Sequence, residues 1–272
     1  MRRDPLIEAE DALARHGDGR TRFLDASWTF SAGPAPRAEG VIDGAMHFDI
    51  DIVKDASNPL PHMLPAPQTF ARHAGALGLT SDTPIIVYDR MGVFAAPRVW
   101  WMFHAMGHEN IMVLNGGLPA WIGAGGAVVR EHAAAPTQTV YKPEFKPQRV
   151  ISRDALAACL GDGVTQILDA RSPGRFSGQE AEPRPFMRSG HMPGALNLHY
   201  ASLIEHGRLV SSSANFGAIG LDLDKPVVTS CGSGVTACIL ALALFREGKD
   251  AAVYDGSWVE WGSHSDTLIE TG

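Results

Sequence analysis

The sequence contains itself twice. GLTSDTPIIVYD, from Gly78 to Asp89, recurs as GLDLDKPVVTSC, from Gly220 to Cys231. Upstream, FLDAS carries Asp25 and ILDARS carries Asp169; downstream, VLNGGLPAW ends at Trp121 and VYDGSWVEW ends at Trp261. The spacings in the two halves agree within two residues, which is the signature of one structural unit used twice. Each half reads as a strand ending near LDA, a helix, a short apolar run, a turn, a second helix and a further strand before NGG or DGS. The runs from Ile85 to Tyr88 and from Val227 to Thr229 are rich in Val and Ile and alternate with helical patterns. They predict a parallel sheet covered on both faces. The expected fold class is α/β, as two tandem domains, each a parallel sheet flanked by helices. The chain of 272 residues is long enough for two domains of ~100–150 residues.

Between the halves, Pro136, Pro143 and Pro147 are spaced so that no helix persists. The expected boundaries are a first domain over 1–135, a linker over 136–150 and a second domain over 151–272. Ser152 is expected to cap a helix from Arg153 to Leu160.

Composition narrows the function classes. The formal net charge is −7 and no Lys/Arg-rich stretch occurs, which argues against a nucleic-acid or anionic-membrane binder. No run of ~18 apolar residues is present, so no membrane span is expected. Three cysteines, Cys159, Cys231 and Cys238, are too few and too irregularly spaced for a disulfide framework or a zinc site. An odd count fits a reducing compartment, and a cytoplasmic location is expected. The opening MRRDPLIEAEDALARHG has acidic residues and no apolar core, so it does not read as a targeting segment.

TSCGSGVTACIL, from Thr229 to Leu240, places one cysteine between a strand and an apolar helix expected over Val235 to Phe245. Gly232 and Gly234 are expected to supply the unusual φ of a sharp turn. Consecutive amides of residues 232 to 236 would then point inward as an anion nest at the positive end of the helix. A sulfur at the mouth of such a nest has its anionic form favoured without any flanking lysine. Cys231 is therefore a candidate nucleophile, while Cys159 and Cys238 read as packing residues. A cysteine phosphatase would carry an arginine six residues after the nucleophile to grip phosphate. That position here is Ala237.

CGSGVTA, the duplicated halves, RFSGQEAEPR and SGHMPGA together resemble the two-domain rhodanese-type sulfurtransferases, specifically their 3-mercaptopyruvate-using branch, over nearly the whole chain. Thiosulfate-using relatives carry charged residues after the cysteine, as in CRKGVTA; this chain has Gly232 and Ser233. The resemblance implies that Cys231 carries sulfur as a persulfide, with Gly232, Gly234, Val235 and Thr236 forming the binding loop. It implies that Arg175 and Arg184 grip the carboxylate and keto oxygen of the donor, and that Asp51, His62 and Ser233 act as a triad. Asp89 stands where Cys231 does, so the first domain is expected to be catalytically silent. The implied partners are 3-mercaptopyruvate as donor and a small thiol, cyanide or thioredoxin as acceptor, with no cofactor and no metal. Two other readings are a thiosulfate:cyanide sulfurtransferase, and a non-enzymatic persulfide carrier or redox sensor.

Overall fold

The computed structural model describes residues 4–28 and 38–272; Arg2 and Arg3 at the start of the chain lie outside them. The chain forms two units. The first runs to Ala56 and adds Leu64–Lys146 and Ile204–Leu209; the second takes Ser57–Met63, Pro147–Leu203 and Val210–Gly272.

The first unit is built on a five-stranded parallel sheet. Its order across the sheet is Leu6–Ile7, Ile111–Leu114, Ile85–Tyr88, Arg22–Asp25, Met46–His47. The second has the same topology: Val150–Ile151, Ala252–Tyr254, Val227–Ser230, Gln166–Asp169, Leu196–Asn197, again all parallel. Taken in chain order, the strands of both sheets lie as first, fifth, fourth, second, third. The α/β duplication read from sequence is thus present strand by strand. In the registers, Asp25 faces Tyr88 and Asp169 faces Ser230. Each LDA motif therefore ends its strand beside the residue that precedes Asp89 or Cys231.

The strands at the centre of each sheet, Ile85–Tyr88 and Val227–Ser230, are buried along their whole length. That is why they read as continuous apolar runs without alternation. Burying each Val or Ile is worth about 1.5–3 kcal/mol. The helices that follow, Ala96–Ala105 and Ala237–Arg246, are buried on every side over most of their length, which matches their lack of a polar face. Pro97 sits in the first turn of the former, where its missing N–H costs nothing. Ser152 caps the helix Arg153–Cys159 as expected, its hydroxyl accepting from Ala155 N at 3.3 Å.

Tyr141 is buried in the first unit. The chain on either side of it is tied to this unit by backbone hydrogen bonds, Thr139 N to Gly75 O, Glu144 N to Met106 O and Lys146 N to Ala105 O. The hairpin Ile204–Glu205 with Arg208–Leu209 also belongs to this unit. Asn115 accepts from Leu209 N at 2.9 Å, and Arg208 pairs with Glu8.

No helix among the described residues is long and apolar enough to cross a membrane, and no described cysteine is in a disulfide.

Candidate active site

Cys231 follows directly on the Val227–Ser230 strand and is 2% exposed. Gly234, at φ 81°, turns its amide back onto the sulfur: N donates to Sγ at 3.2 Å. The helix starts at Ala237, two residues later than the sequence predicts. The reason is Gly234 itself, since a residue in the left-handed region cannot join a right-handed helix. The chain needs Val235 and Thr236 to recover.

The other loop glycine has a different role from the expected one. Gly232 does not lie at positive φ. A Cβ there would sit 3.0 Å from Nη2 of Arg175 and 3.7 Å from Nη1. It is a glycine of close approach: its bare backbone lets a guanidinium lean onto the loop beside the sulfur.

The loop is tied down from behind. Trp258 N donates to Cys231 O at 2.9 Å and Val259 N to Gly232 O at 2.8 Å. Ser257, which sequence reading passed over, is fully buried and holds φ 49°, a conformation that costs a non-glycine residue about 1 kcal/mol or more. Its Oγ accepts from Cys231 N at 3.2 Å, donates to Tyr254 O at 2.8 Å and lies 4.0 Å from Sγ. The signal was available: Ser257 stands in DGSW where the first half has Gly117 in NGGL, a side chain at a position that otherwise takes glycine. Cys238, the second residue of the helix, donates its thiol to Gly234 O at 3.2 Å. It is buried packing, as expected, and it also fixes the carbonyl of the turning residue.

The second cluster lies on the segment after the Gln166–Asp169 strand. Arg175, in the short helix Pro173–Ser177, binds Glu182 through Nε at 3.2 Å and Nη2 at 2.5 Å. Arg184 is half-buried on the same segment and has no hydrogen bond or ion pair to a described residue. Arg171 is the missed member. Its buried guanidinium is bidentate on Asp169, reaches Glu182 Oε1 at 2.9 Å and Gly190 O at 2.8 Å, and lies 4.1 Å over the Trp258 ring. Burial disfavours its charge, but the Asp169 and Glu182 carboxylates outweigh that and raise its pKa. His199 and Tyr200 complete the surroundings. The His199 pKa is lowered by burial and then by the charge of Arg175, against a raising effect of Glu180. That of Tyr200 is raised by burial first and then by Cys231.

Of the residues named as a triad, Ser233 and His62 are both buried in the second unit, His62 at φ 60°. Asp51 belongs to the first unit, where its carboxylate accepts from Trp28 Nε1 at 2.8 Å and lies 4.0 Å from Lys54.

The first unit displays what such a loop does to an anion. Asp89, fully buried, takes Met91 N on one oxygen and Phe94, Ala95 and Ala96 N on the other, all at 2.9 Å. Burial pushes its pKa up to about 6, with the four amides opposing. The folded state therefore holds the proton more tightly than the unfolded chain, at its ordinary 3.8. Stability from this group is present below pH ~4 and lost as the pH rises through about 6. Asp89→Asn should flatten the stability profile over that window, by on the order of 3 kcal/mol between pH 4 and 7. Denaturant titrations of both proteins check this.

The fold and this loop define a class, and the chain belongs to the rhodanese family: the rhodanese-like domain model matches residues 8–124 and again 152–264. Among its relatives is the 3-mercaptopyruvate sulfurtransferase of Escherichia coli K12, 38% identical over 96% of each chain. The thiosulfate sulfurtransferase of Gallus gallus is 39% identical over 88% of this chain and 86% of its own. The crystal structure of SseA from Escherichia coli superposes with a TM-score of 0.82 at 35% identity, covering 94% of this chain and 99% of the other.

Proposed function

We propose that this protein is a 3-mercaptopyruvate sulfurtransferase that carries sulfur as a persulfide on Cys231. The observation that carries the reading is the approach of Arg175 to Gly232, beside the cysteine. It supports a cation for the far end of a keto acid next to a loop that bears no charge of its own at Gly232 and Ser233. The relatives named for this donor are consistent with it.

In the first half-reaction the Cys231 thiolate attacks the donor sulfur. A sulfur–sulfur bond forms, the carbon–sulfur bond breaks, and its electron pair leaves on carbon as the enolate of pyruvate. Protonation of that carbon releases pyruvate and leaves Cys231 with one extra sulfur atom. Arg175 and Arg184 hold the carboxylate and keto oxygen, where guanidinium forks suit a planar anion. They also stabilise the charge that develops on the enolate oxygen. Gly232, Gly234, Val235 and Thr236 cradle the outer sulfur with their backbone. Ser233, polarised by His62, handles the proton of the donor thiol. In the second half-reaction cyanide, a small thiol or reduced thioredoxin attacks the outer sulfur and restores the thiolate.

The first unit is read as silent because Asp89 fills its own nest and a carboxylate cannot accept sulfane sulfur. A reducing compartment such as the cytoplasm suits a working thiolate. Thiosulfate is a second donor to weigh, because a relative at 39% identity carries that name. Turnover of the purified protein with each donor decides. kcat/KM should favour 3-mercaptopyruvate by about 100-fold or more, since thiosulfate would present a dianion at the sulfur to a loop that carries no charged residue of its own at Gly232 and Ser233. Equal or better use of thiosulfate would overturn the donor assignment. A carrier or sensor role would instead predict no saturable donor and a neutral Arg175→Ala.

A further inference from the structure

Three ionised side chains run in line behind the cysteine loop. Arg171 and Glu182 are sealed from solvent, with side chains 1% exposed each; Arg175, at the end of the line, is 21% exposed. Glu182 divides its two oxygens between the guanidinia. Oε1 takes Arg171 Nη1 at 2.9 Å and Arg175 Nε at 3.2 Å, while Oε2 takes Arg175 Nη2 at 2.5 Å. Arg171 cannot shift in response, since it is clamped by Asp169 and Gly190 O and stacked on Trp258. Trp258 in turn holds the Cys231 carbonyl. Arg175 therefore has both Nε and Nη2 held by a buried carboxylate, with Nη2 also the nitrogen nearest Gly232, which leaves Nη1 for a ligand.

We propose that Glu182 is a positioning residue for the donor: it holds the Arg175 guanidinium in one orientation against Gly232, so that its outer edge meets the donor carboxylate already aimed. This rests on the sulfurtransferase reading and deepens it, by naming what sets the geometry of the grip. Two effects of the carboxylate oppose each other. Its charge partly cancels that of Arg175 and weakens long-range attraction for an anion. Its hydrogen bonds remove the freedom of a flexible side chain before the substrate arrives. A ligand that must be held at bonding distance from Sγ depends on the second effect more.

Glu182→Gln removes the charge and conserves the shape. The expected result is a KM for 3-mercaptopyruvate raised about tenfold or more. Discharge of a preformed Cys231 persulfide to cyanide, which needs no grip on a carboxylate, should stay within about twofold. In an Arg175→Ala background the Glu182→Gln change should add nothing, because a residue acting through another has no effect once that other is gone. An unchanged or lowered KM in Glu182→Gln, or losses that multiply in the double variant, would overturn the proposal. If Glu182→Gln fails to fold, Glu182→Asp keeps the buried charge but shortens its reach to Arg175, and an unchanged KM there overturns it equally. A wild-type protein that releases no pyruvate from 3-mercaptopyruvate sinks the proposed function and this inference with it. A wild type that turns over alongside an unaffected variant sinks the inference alone.

Discussion

Cys231→Ser is expected to lose at least about 1,000-fold in turnover and to acquire no sulfur atom by mass after exposure to donor. Serine keeps the size and the hydrogen bond from Gly234 N, so the fold should survive unchanged. What it lacks is a nucleophile able to form a sulfur–sulfur bond and give it up again. The wild-type protein mixed with 3-mercaptopyruvate alone should release one equivalent of pyruvate in a burst and then stop until an acceptor is added. A serine variant that still cycled would remove the covalent intermediate from the mechanism, whatever the donor.

The largest effect on stability is expected at Gly117→Ala, in the unit read as silent. Gly117 lies at φ 54°, and a Cβ there would stand 2.2 Å from Asp89 O, 2.5 Å from Gly92 O and 2.9 Å from Gly92 Cα. All three are backbone atoms, so no side chain can swing aside. Relief would come from moving the Asp89 loop, which strips amides from a buried carboxylate. The combined cost should be about 3–5 kcal/mol, or a fall in Tm of roughly 10 °C. Calorimetry would read it, and a shift below about 2 °C would mean that the loop is far softer than its hydrogen bonds imply. The counterpart in the second unit makes the contrast, because Ser257 at φ 49° carries a side chain in the equivalent place. The helix after Asp89 begins at Ala96 and that after Cys231 at Ala237, so the first loop is one residue longer and is the one pressed against its glycine.

The duplication was legible because burial leaves a periodic trace. Strands covered on both faces read as Val and Ile runs, and the two strand orders follow from repeating one pattern of elements. The cysteine turn was legible for a similar local reason, as Gly234 has to be a glycine wherever the chain turns left-handed. Gly232 departs from its expected use because glycine serves two purposes, left-handed backbone and close approach, and the sequence alone does not separate them. Arg171 was passed over because an arginine two residues after a strand is ordinary on a surface. Only Asp169, Glu182 and Trp258 arriving together make it a buried hub.

The sequence by itself determined a twofold α/β architecture and a lone sulfur set in an uncharged, glycine-bearing turn, since both depend on neighbours along the chain. Tertiary structure decided how the charges are arranged. It made Glu182 a shared anchor rather than a surface acid, set Arg175 over Gly232, and put Ser257 beneath the sulfur. Hydrogen bonds and ion pairs act over a few ångströms of space, and only folding brings Gly232 and Ser257 within that range of Arg175 and Cys231.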